Sequence, residues 1–179
     1  MKIVFLDRDG TLIEEVDDGK IDTLAKLAYK PGVFEGLRSL REAGYELVIV
    51  TNQNGIGSEE FPWENFDRVQ DAFMQKMDEQ GIRFFDVCIC PHMLEDQCEC
   101  RKPEIGLVKD LIWDCEMEPE SSWMIGDRST DIEFGKNLEV NPIFLKTDRF
   151  ELPEELKGDP DVYEAESFLD AVERILKGA

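Results

Sequence analysis

A short polar segment holds most of the soft metal-ligand side chains of this chain. Cys90, His92, Cys98 and Cys100 follow the pattern Cys-x-His-x5-Cys-x-Cys, and His92 is the single histidine among 179 residues. Three thiols and one imidazole form the kind of set that closes a tetrahedral structural zinc site, with no position left for an activated water. The spacing therefore predicts a Zn2+ ion that shapes a loop and takes no part in catalysis. Cys88, two residues before Cys90, is an alternative ligand.

Pairs of carboxylates occur at two distant points of the sequence. "DRDGTL" contains Asp7 and Asp9, whose spacing lets both side chains reach one crevice, while Gly10 allows a sharp turn. "GDRSTD" supplies Asp127 and Asp131. Two close carboxylates need a cation, and Mg2+ prefers oxygen ligands of this kind. These acidic side chains therefore predict a magnesium site assembled from distant segments.

Groups that suit an anionic oxygen accompany these carboxylates. Thr51 and Asn52 follow an apolar run and offer a hydroxyl and an exposed turn. Arg101 and Lys102 come directly after the cysteine–histidine segment. We therefore expect the zinc loop to hold these two cations beside the same crevice, where they would attract an anionic oxygen.

Five short apolar runs, bounded by turn residues, are typical of buried strands. They are "KIVFL" (2–6), "ELVIV" (46–50), "DVCIC" (86–90), "SWMIG" (122–126) and "PIFL" (142–145). Apolar residues at spacings of three and four predict helices within 33–40, 63–77, 107–112 and 168–176. Strands that alternate with helices indicate a parallel sheet covered on both faces, in a single domain over residues 1–179. The segment "DRFELPEELKGDPD" (148–161) is predicted to be a long surface loop.

The reactive side chains lie where the predicted strands end. Asp7, Thr51, Cys90 and Asp127 each end or immediately follow an apolar run. In an open parallel sheet, ligands bind outside the carboxyl ends of the strands. The sequence therefore predicts one site that gathers these positions.

Four motifs in order, "FLDRDGTL", "VTNQ", "CRKP" and "IGDRSTDI", resemble those of the haloacid dehalogenase superfamily of aspartate-dependent phosphatases. The resemblance extends from roughly Ile3 to Leu145. "DRDGTLIEE", "VTNQNGIGSEEFP" and "CPHMLEDQCECRKP" are similar to the histidinol-phosphate phosphatase branch, which includes the phosphatase half of a bifunctional histidine-biosynthesis enzyme. The resemblance implies an α/β fold: a Rossmann-like doubly wound parallel sheet with helices on both faces. The short spacings from Asp9 to Asn52 and from Thr51 to Lys102 predict no large cap domain, and the cysteine–histidine spacing predicts a zinc-stapled loop. The resemblance also implies a dehydratase domain as a fused or associated partner.

Carried over position by position, the resemblance implies that Asp7 is the nucleophile and forms an aspartyl-phosphate intermediate. Asp9 would be the general acid and base. Mg2+ is expected on the Asp7 carboxylate, the Asp9 backbone carbonyl and the Asp127 carboxylate. Asp131 would stand behind these ligands.

The same resemblance implies which groups contact the phosphoryl oxygens. They are Thr51, the Asn52 region and Lys102. A loose transition state for phosphoryl transfer needs such positioning and charge more than covalent help. Arg8 and Arg128 carry no predicted role.

The composition narrows the class of partner. The formal net charge is -21, from 41 acidic and 20 basic residues, which opposes nucleic acids and anionic membrane surfaces. The chain starts with an apolar run too short for a secretory or membrane segment, so we expect a cytoplasmic protein. Its five cysteines should then be reduced, which favours metal binding over disulfides.

The loops expected around the site favour a substrate with a cationic end. They contain Glu14, Glu15, Asp17, Asp18, Glu59 and Glu60, with Lys20 as the single basic residue. L-histidinol phosphate, a small phosphate ester that carries an amine and an imidazole, fits such walls. Glu15 is our candidate contact for the amine.

Three other functions stay open at this point. A heptose 1,7-bisphosphate phosphatase shares the motifs, although its second phosphate would want basic loops. An inactive zinc-stapled binding module is an alternative from another class, against which the intact acidic motifs argue. A nucleic-acid 3′-phosphatase is disfavoured by the net charge.

Overall fold

The computed structural model describes residues 1–178, and its centre is a six-stranded parallel sheet. The strands are β1 (Ile3–Leu6), β2 (Glu46–Asn52), β3 (Asp86–Cys90), β4 (Trp123–Gly126), β5 (Asn141–Leu145) and β6 (Tyr163–Ala165). Their spatial order is β3-β2-β1-β4-β5-β6, so the chain moves outward in one direction after β1 and in the other after β4. This order makes the boundary between β1 and β4 the switch point of the sheet.

Five α-helices connect or follow the strands. They are α1 (Val33–Glu42), α2 (Trp63–Glu79), α3 (Lys109–Asp114), α4 (Ser129–Asn137) and α5 (Phe168–Leu176). Helix α1 buries Val33, Leu37 and Leu40, which share one face at helical spacing. Ser167 caps the N-terminus of α5, because its hydroxyl accepts a hydrogen bond from the backbone N–H of Asp170.

The core forms one apolar layer on each face of the sheet. Because side chains alternate along a strand, Val4 and Leu6 of β1 pack with α1, α2 and α5, whereas Ile3 and Phe5 pack with α3 and α4. This arrangement confirms the predicted α/β fold with helices on both faces. No helix among residues 1–178 is long and apolar enough to span a membrane.

Two elements were missed at the level of sequence. Helix α4 has only Ile132 and Phe134 as large apolar side chains, too few to reveal a helical period. Strand β6 has three residues and is defined by its pairing with Ile143–Leu145 of β5. The predicted surface loop 148–161 contains no helix or strand, which confirms that interpretation.

The connections around the switch point carry loops and turns but no additional domain. Residues 7–32 between β1 and α1 fold back on themselves, with the Glu14 N–H donating to the Ala28 carbonyl at 2.8 Å. Residues 53–62 join β2 to α2. Neither connection contains an inserted domain, so the cleft above the sheet stays open, with a volume of about 1040 Å3.

Candidate active site

The first strand ends where the sheet divides. The Asp7 N–H donates to the Ile125 carbonyl of β4 at 3.0 Å, which fixes Asp7 at the switch point. Gly10 follows with a φ of 85°, and a Cβ there would lie 2.1 Å from Asp127 Oδ2. Only glycine fits this turn, because both the left-handed backbone and the contact exclude a side chain.

Three carboxylates converge at this point. Single oxygens of Asp7, Asp127 and Asp131 lie within 4.8 Å of one another, and these residues are 6%, 0% and 1% exposed. Both carboxylate oxygens of Asp127 are buried without a hydrogen-bond partner in the described part of the chain. Burial, reinforced by the charges of Asp7 and Asp131, raises the pKa of Asp127 to about 8. A set of hard oxygen ligands with one uncompensated carboxylate fits Mg2+.

Lys102 is the cation already present in this cluster. Its Nζ lies 2.7 Å from Asp7 Oδ1 and 2.6 Å from Asp131 Oδ1. Burial disfavours the ammonium, but the carboxylates of Asp131 and Asp7 outweigh it and raise the pKa of Lys102. Burial also raises the pKa of Asp7 to about 7, opposed by Lys102 and assisted by Asp131. Lys102 thus lies in the same crevice as Asp7, where its contact with phosphoryl oxygens stays a prediction, while Asp131 lies closer to the centre than expected.

Asp9 faces the cleft from the loop after β1. Its carboxylate accepts hydrogen bonds from Arg8 Nε at 2.7 Å, Arg8 Nη2 at 3.2 Å and Gln53 Nε2 at 2.9 Å. The Gln53 amide also donates to Thr51 Oγ1 at 2.9 Å, which joins β2 to this group. Arg8 is fully buried. Neither Arg8 nor Gln53 was singled out from the sequence, because the contacts that bury them come from distant segments: Arg8 meets Gln70 of α2, and Gln53 meets Asp9.

Asn52 contacts a neighbouring peptide. Its Oδ1 accepts from the Lys102 N–H at 3.0 Å, and its Nδ2 donates to the Lys102 carbonyl at 3.1 Å. The side chain thus holds the backbone of Lys102 from both sides. The expectation that the Asn52 region contacts phosphate stays a prediction, and the structure adds this second role.

Arg101 and Glu15 line the cleft, each with a partner. Arg101 Nη1 donates to Asn54 Oδ1 at 2.5 Å and to the His92 carbonyl at 3.1 Å, so it ties the zinc loop to the loop after β2. Glu15 pairs with Arg128 Nη2 at 2.9 Å. The contact between Glu15 and a substrate amine stays a prediction, and the structure adds Arg128 as a partner of Glu15.

The acidic loops gain basic partners from elsewhere in the fold. Arg149 pairs with Asp17 at 2.5 Å, and the Arg128 guanidinium lies over the Phe150 ring at 4.3 Å. Arg128 follows β4 and Arg149 follows β5, so neither belongs to the loops judged from the sequence. The cleft wall is a set of ion pairs, less acidic than the sequence indicated.

The cysteine–histidine segment forms a compact cluster. Cys90 Sγ lies 3.7 Å from Cys98 Sγ and 3.3 Å from Cys100 Sγ, and His92 Nδ1 lies 3.1 Å from Cys100 Sγ. The edges of a tetrahedral zinc site are about 3.5–3.8 Å, given metal–ligand bonds of ~2.0–2.3 Å. The four side chains therefore fit Zn2+. Cys88 packs instead in the core layer beneath β3, away from this set.

The fold and the site define a class of protein: a doubly wound α/β domain with a buried aspartate, a lysine paired with it and a cluster of carboxylates that fits a hard cation. Among known proteins, the HAD-hydrolase-like family model matches residues 99–171. The chain is 45% identical over 140 residues to the histidine biosynthesis bifunctional protein HisB of Legionella pneumophila (strain Lens), covering 78% of this chain and 40% of that protein. The histidine biosynthesis bifunctional protein HisB of Buchnera aphidicola subsp. Schizaphis graminum is 43% identical over 150 residues, covering 83% of this chain and 42% of that protein.

A solved structure shares the whole fold. The D,D-heptose 1,7-bisphosphate phosphatase of B. bronchiseptica, complexed with magnesium and phosphate, aligns with a TM-score of 0.85 at 23% identity, covering 100% of both chains. The chain is thus similar in sequence to the HAD-hydrolase-like family over residues 99–171, and it has the fold of this solved phosphatase. It spans about two fifths of the length of the curated relatives it matches.

Proposed function

We propose that this chain catalyses the magnesium-dependent hydrolysis of L-histidinol phosphate to L-histidinol and phosphate, through an aspartyl-phosphate intermediate on Asp7. The observation that supports the chemistry is the buried Asp7 carboxylate, paired with Lys102 beside an unpartnered Asp127. The substrate is supported by relatives above 40% identity whose names place them in histidine biosynthesis.

The first half-reaction joins Asp7 to the phosphoryl group. An Asp7 oxygen attacks phosphorus, the bond to the ester oxygen breaks, and the leaving oxygen takes a proton from Asp9. The Asp7 and Asp127 carboxylates and the Asp9 backbone carbonyl would hold Mg2+, which supplies positive charge between the nucleophile and the phosphate. Two like charges ~4 Å apart repel by ~4 kcal/mol at an effective dielectric of ~20, roughly a thousandfold in rate.

The second half-reaction releases phosphate. Water attacks phosphorus, its proton passes to the Asp9 carboxylate, and the bond to Asp7 breaks. Lys102 stays within hydrogen-bond distance of Asp7, where it can contact a phosphoryl oxygen as charge moves between the two groups. Thr51 and Arg101 line the same cleft and complete the contacts to the phosphate.

The four ligands Cys90, His92, Cys98 and Cys100 would hold a structural Zn2+ ion. Their loop continues directly into Arg101 and Lys102, and Gly106 closes it with a hydrogen bond from its N–H to the Glu99 carbonyl at 2.9 Å. The zinc would therefore fix the backbone from which Lys102 reaches Asp7. A dehydratase domain, fused or associated, belongs to the same proposal because the relatives are bifunctional and much longer than this chain.

A second substrate is favoured by one observation on the cleft. The cleft is lined by Arg101, Arg128 and Arg149. These arginines could attract a second phosphate, which the acidic loops would repel. Arg128 and Arg149 are already paired with Glu15 and Asp17. D-glycero-D-manno-heptose 1,7-bisphosphate is therefore the alternative substrate, behind histidinol phosphate.

The test is phosphate release, with Mg2+, from L-histidinol phosphate and from heptose 1,7-bisphosphate, with the Asp7→Asn variant run in parallel. The proposal expects a clear preference for histidinol phosphate that the variant loses. Preference for the bisphosphate would replace the substrate. Hydrolysis of neither, at confirmed zinc and magnesium content, would favour the inactive binding module.

A further inference from the structure

The side chain between the two motif aspartates is buried more deeply than either. Arg8 has no exposed surface, although a guanidinium is among the groups most expensive to remove from water. A buried cation of this kind persists only when it is paired and hydrogen-bonded. Its partners therefore indicate what it does.

Arg8 makes a two-pronged contact with Asp9. Nε donates to Oδ1 at 2.7 Å and Nη2 donates to Oδ2 at 3.2 Å, so both carboxylate oxygens are held by one planar group. A forked contact fixes the plane of a carboxylate as well as its position. A lysine ammonium, which is a point charge, cannot do so.

The other end of the guanidinium is anchored in α2. Nη1 donates to Gln70 Oε1 at 2.9 Å, and the guanidinium carbon lies 5.0 Å from the centre of the Phe66 ring. Gln70 and Phe66 are themselves buried in α2. The chain of contacts from α2 through Arg8 to Asp9 consists of buried side chains that have no room to reorient.

We infer that Arg8 is a positioning residue, which with Gln70 holds the Asp9 carboxylate in the orientation that acid–base catalysis requires. The inference rests on the proposed function, because it assigns Arg8 to the proton-transfer group of that mechanism. Arg8 is fully buried and is not among the residues that line the cleft, so it would act through Asp9.

The experiment uses two aryl phosphates whose leaving groups differ in basicity. p-Nitrophenolate leaves without help, whereas phenolate needs the proton that Asp9 would donate, and kcat/KM reports the steps up to the first irreversible bond cleavage. Arg8→Lys should lower kcat/KM for phenyl phosphate by about 100-fold and for p-nitrophenyl phosphate by about 10-fold or less. Gln70→Leu should lower the ratio of kcat/KM for phenyl phosphate to kcat/KM for p-nitrophenyl phosphate in the same direction, by a few-fold. The same ratio measured in Asp9→Asn is the reference value for an enzyme that has lost its proton donor completely.

The controls separate this role from a structural one. Arg38→Lys, on the exposed face of α1, is the matched substitution and should leave both rates unchanged. Equal losses with both substrates in Arg8→Lys, or no loss, would overturn the inference while leaving the phosphatase intact. If Arg8→Lys does not fold, an unchanged ratio in Gln70→Leu would overturn it. A wild-type protein inactive on every phosphate ester would remove the proposed function itself, and the inference with it.

Discussion

Two clusters of metal-type ligands lie at the same edge of the sheet, one after β3 and the other after β1 and β4, and they are built in opposite ways. The cysteine–histidine set comes from eleven consecutive residues, and only Cys90 within it is fully buried. The carboxylate set brings Asp7 together with Asp127 and Asp131, and all three are buried. One lysine partly offsets the three acidic groups. The first cluster is local in sequence and partly exposed, whereas the second concentrates buried charge, which opposes the stability of the fold.

This difference predicts opposite effects on stability when a ligand is removed, and the largest effect on catalysis should come from the carboxylates. Asp127→Asn takes away a buried charge without a partner, so we expect a higher melting temperature in the metal-free protein near pH 8, by a few degrees. Activity should fall by at least about 10^3-fold, because the cation site loses a ligand.

Differential scanning fluorimetry and initial rates on the same preparation check both halves of that prediction. Glu133→Gln, a neutralising change on the exposed face of α4, is the matched control and should alter neither the melting temperature nor the initial rate. A melting temperature that falls in Asp127→Asn would contradict the interpretation of this carboxylate as a destabilising charge.

The cysteine cluster should respond with losses of both stability and activity. Cys98→Ser removes one zinc ligand, so we expect lower zinc content, a lower melting temperature and a loss of about 100-fold in kcat/KM, as for a misplacement of ~1 Å at the reaction centre. The loss would arise through Lys102, whose backbone continues from the zinc loop.

Metal analysis by mass spectrometry and steady-state kinetics give the readout for this variant. Cys115→Ser, outside the cluster, is the control. Full activity in Cys98→Ser after zinc has been lost would show that the loop holds Lys102 unaided.

The same contrast explains how much the sequence could predict. The zinc set was visible because all its ligands fall within one segment of fixed spacing. The sequence placed Lys102 and Asp7 in one crevice, since strand ends of a parallel sheet meet at one edge, but it did not predict the ion pair between them. The burial of Arg8 and the pairing of Glu15 with Arg128 were missed. Both depend on how distant segments pack, and no local pattern encodes that.

Asn52 lies between the two clusters, and its replacement should have a smaller effect. Asn52→Ala removes both hydrogen bonds to the Lys102 peptide, and we expect kcat/KM to fall by about 10-fold, less than the ~100-fold of a 1 Å misplacement. Asn52→Asp keeps the oxygen that accepts from the Lys102 N–H. It should therefore cost less than alanine if the side chain acts on the backbone of Lys102.

Inhibition by inorganic phosphate distinguishes this role from direct contact with the substrate. An aspartate in contact with phosphate would repel it. A much weaker phosphate inhibition in Asn52→Asp than in Asn52→Ala would thus assign Asn52 to the phosphoryl group.

The smallest predicted effect is the dependence of stability on pH and on Mg2+. The folded pKa values of Asp7 and Asp127, raised by burial to about 7 and about 8, exceed the ordinary value of 3.8. Between these limits the folded protein binds more protons than the unfolded one, so the free energy of unfolding of the metal-free protein falls as pH rises. Mg2+ competes with those protons, and its stabilising effect should grow over the same window.

The Mg2+ concentration is fixed at about 100 times the dissociation constant measured at pH 8.5. At this concentration Mg2+ should raise the melting temperature by about 5–10 °C near pH 8.5 and by much less near pH 5.5. Magnesium should be withheld for the reference sample, because a chelator would also strip zinc from the cysteine cluster. Asp127→Asn should lose most of the shift at the higher pH. An equal shift at both pH values would mean that the buried carboxylates are already ionised, and that Lys102 alone compensates them.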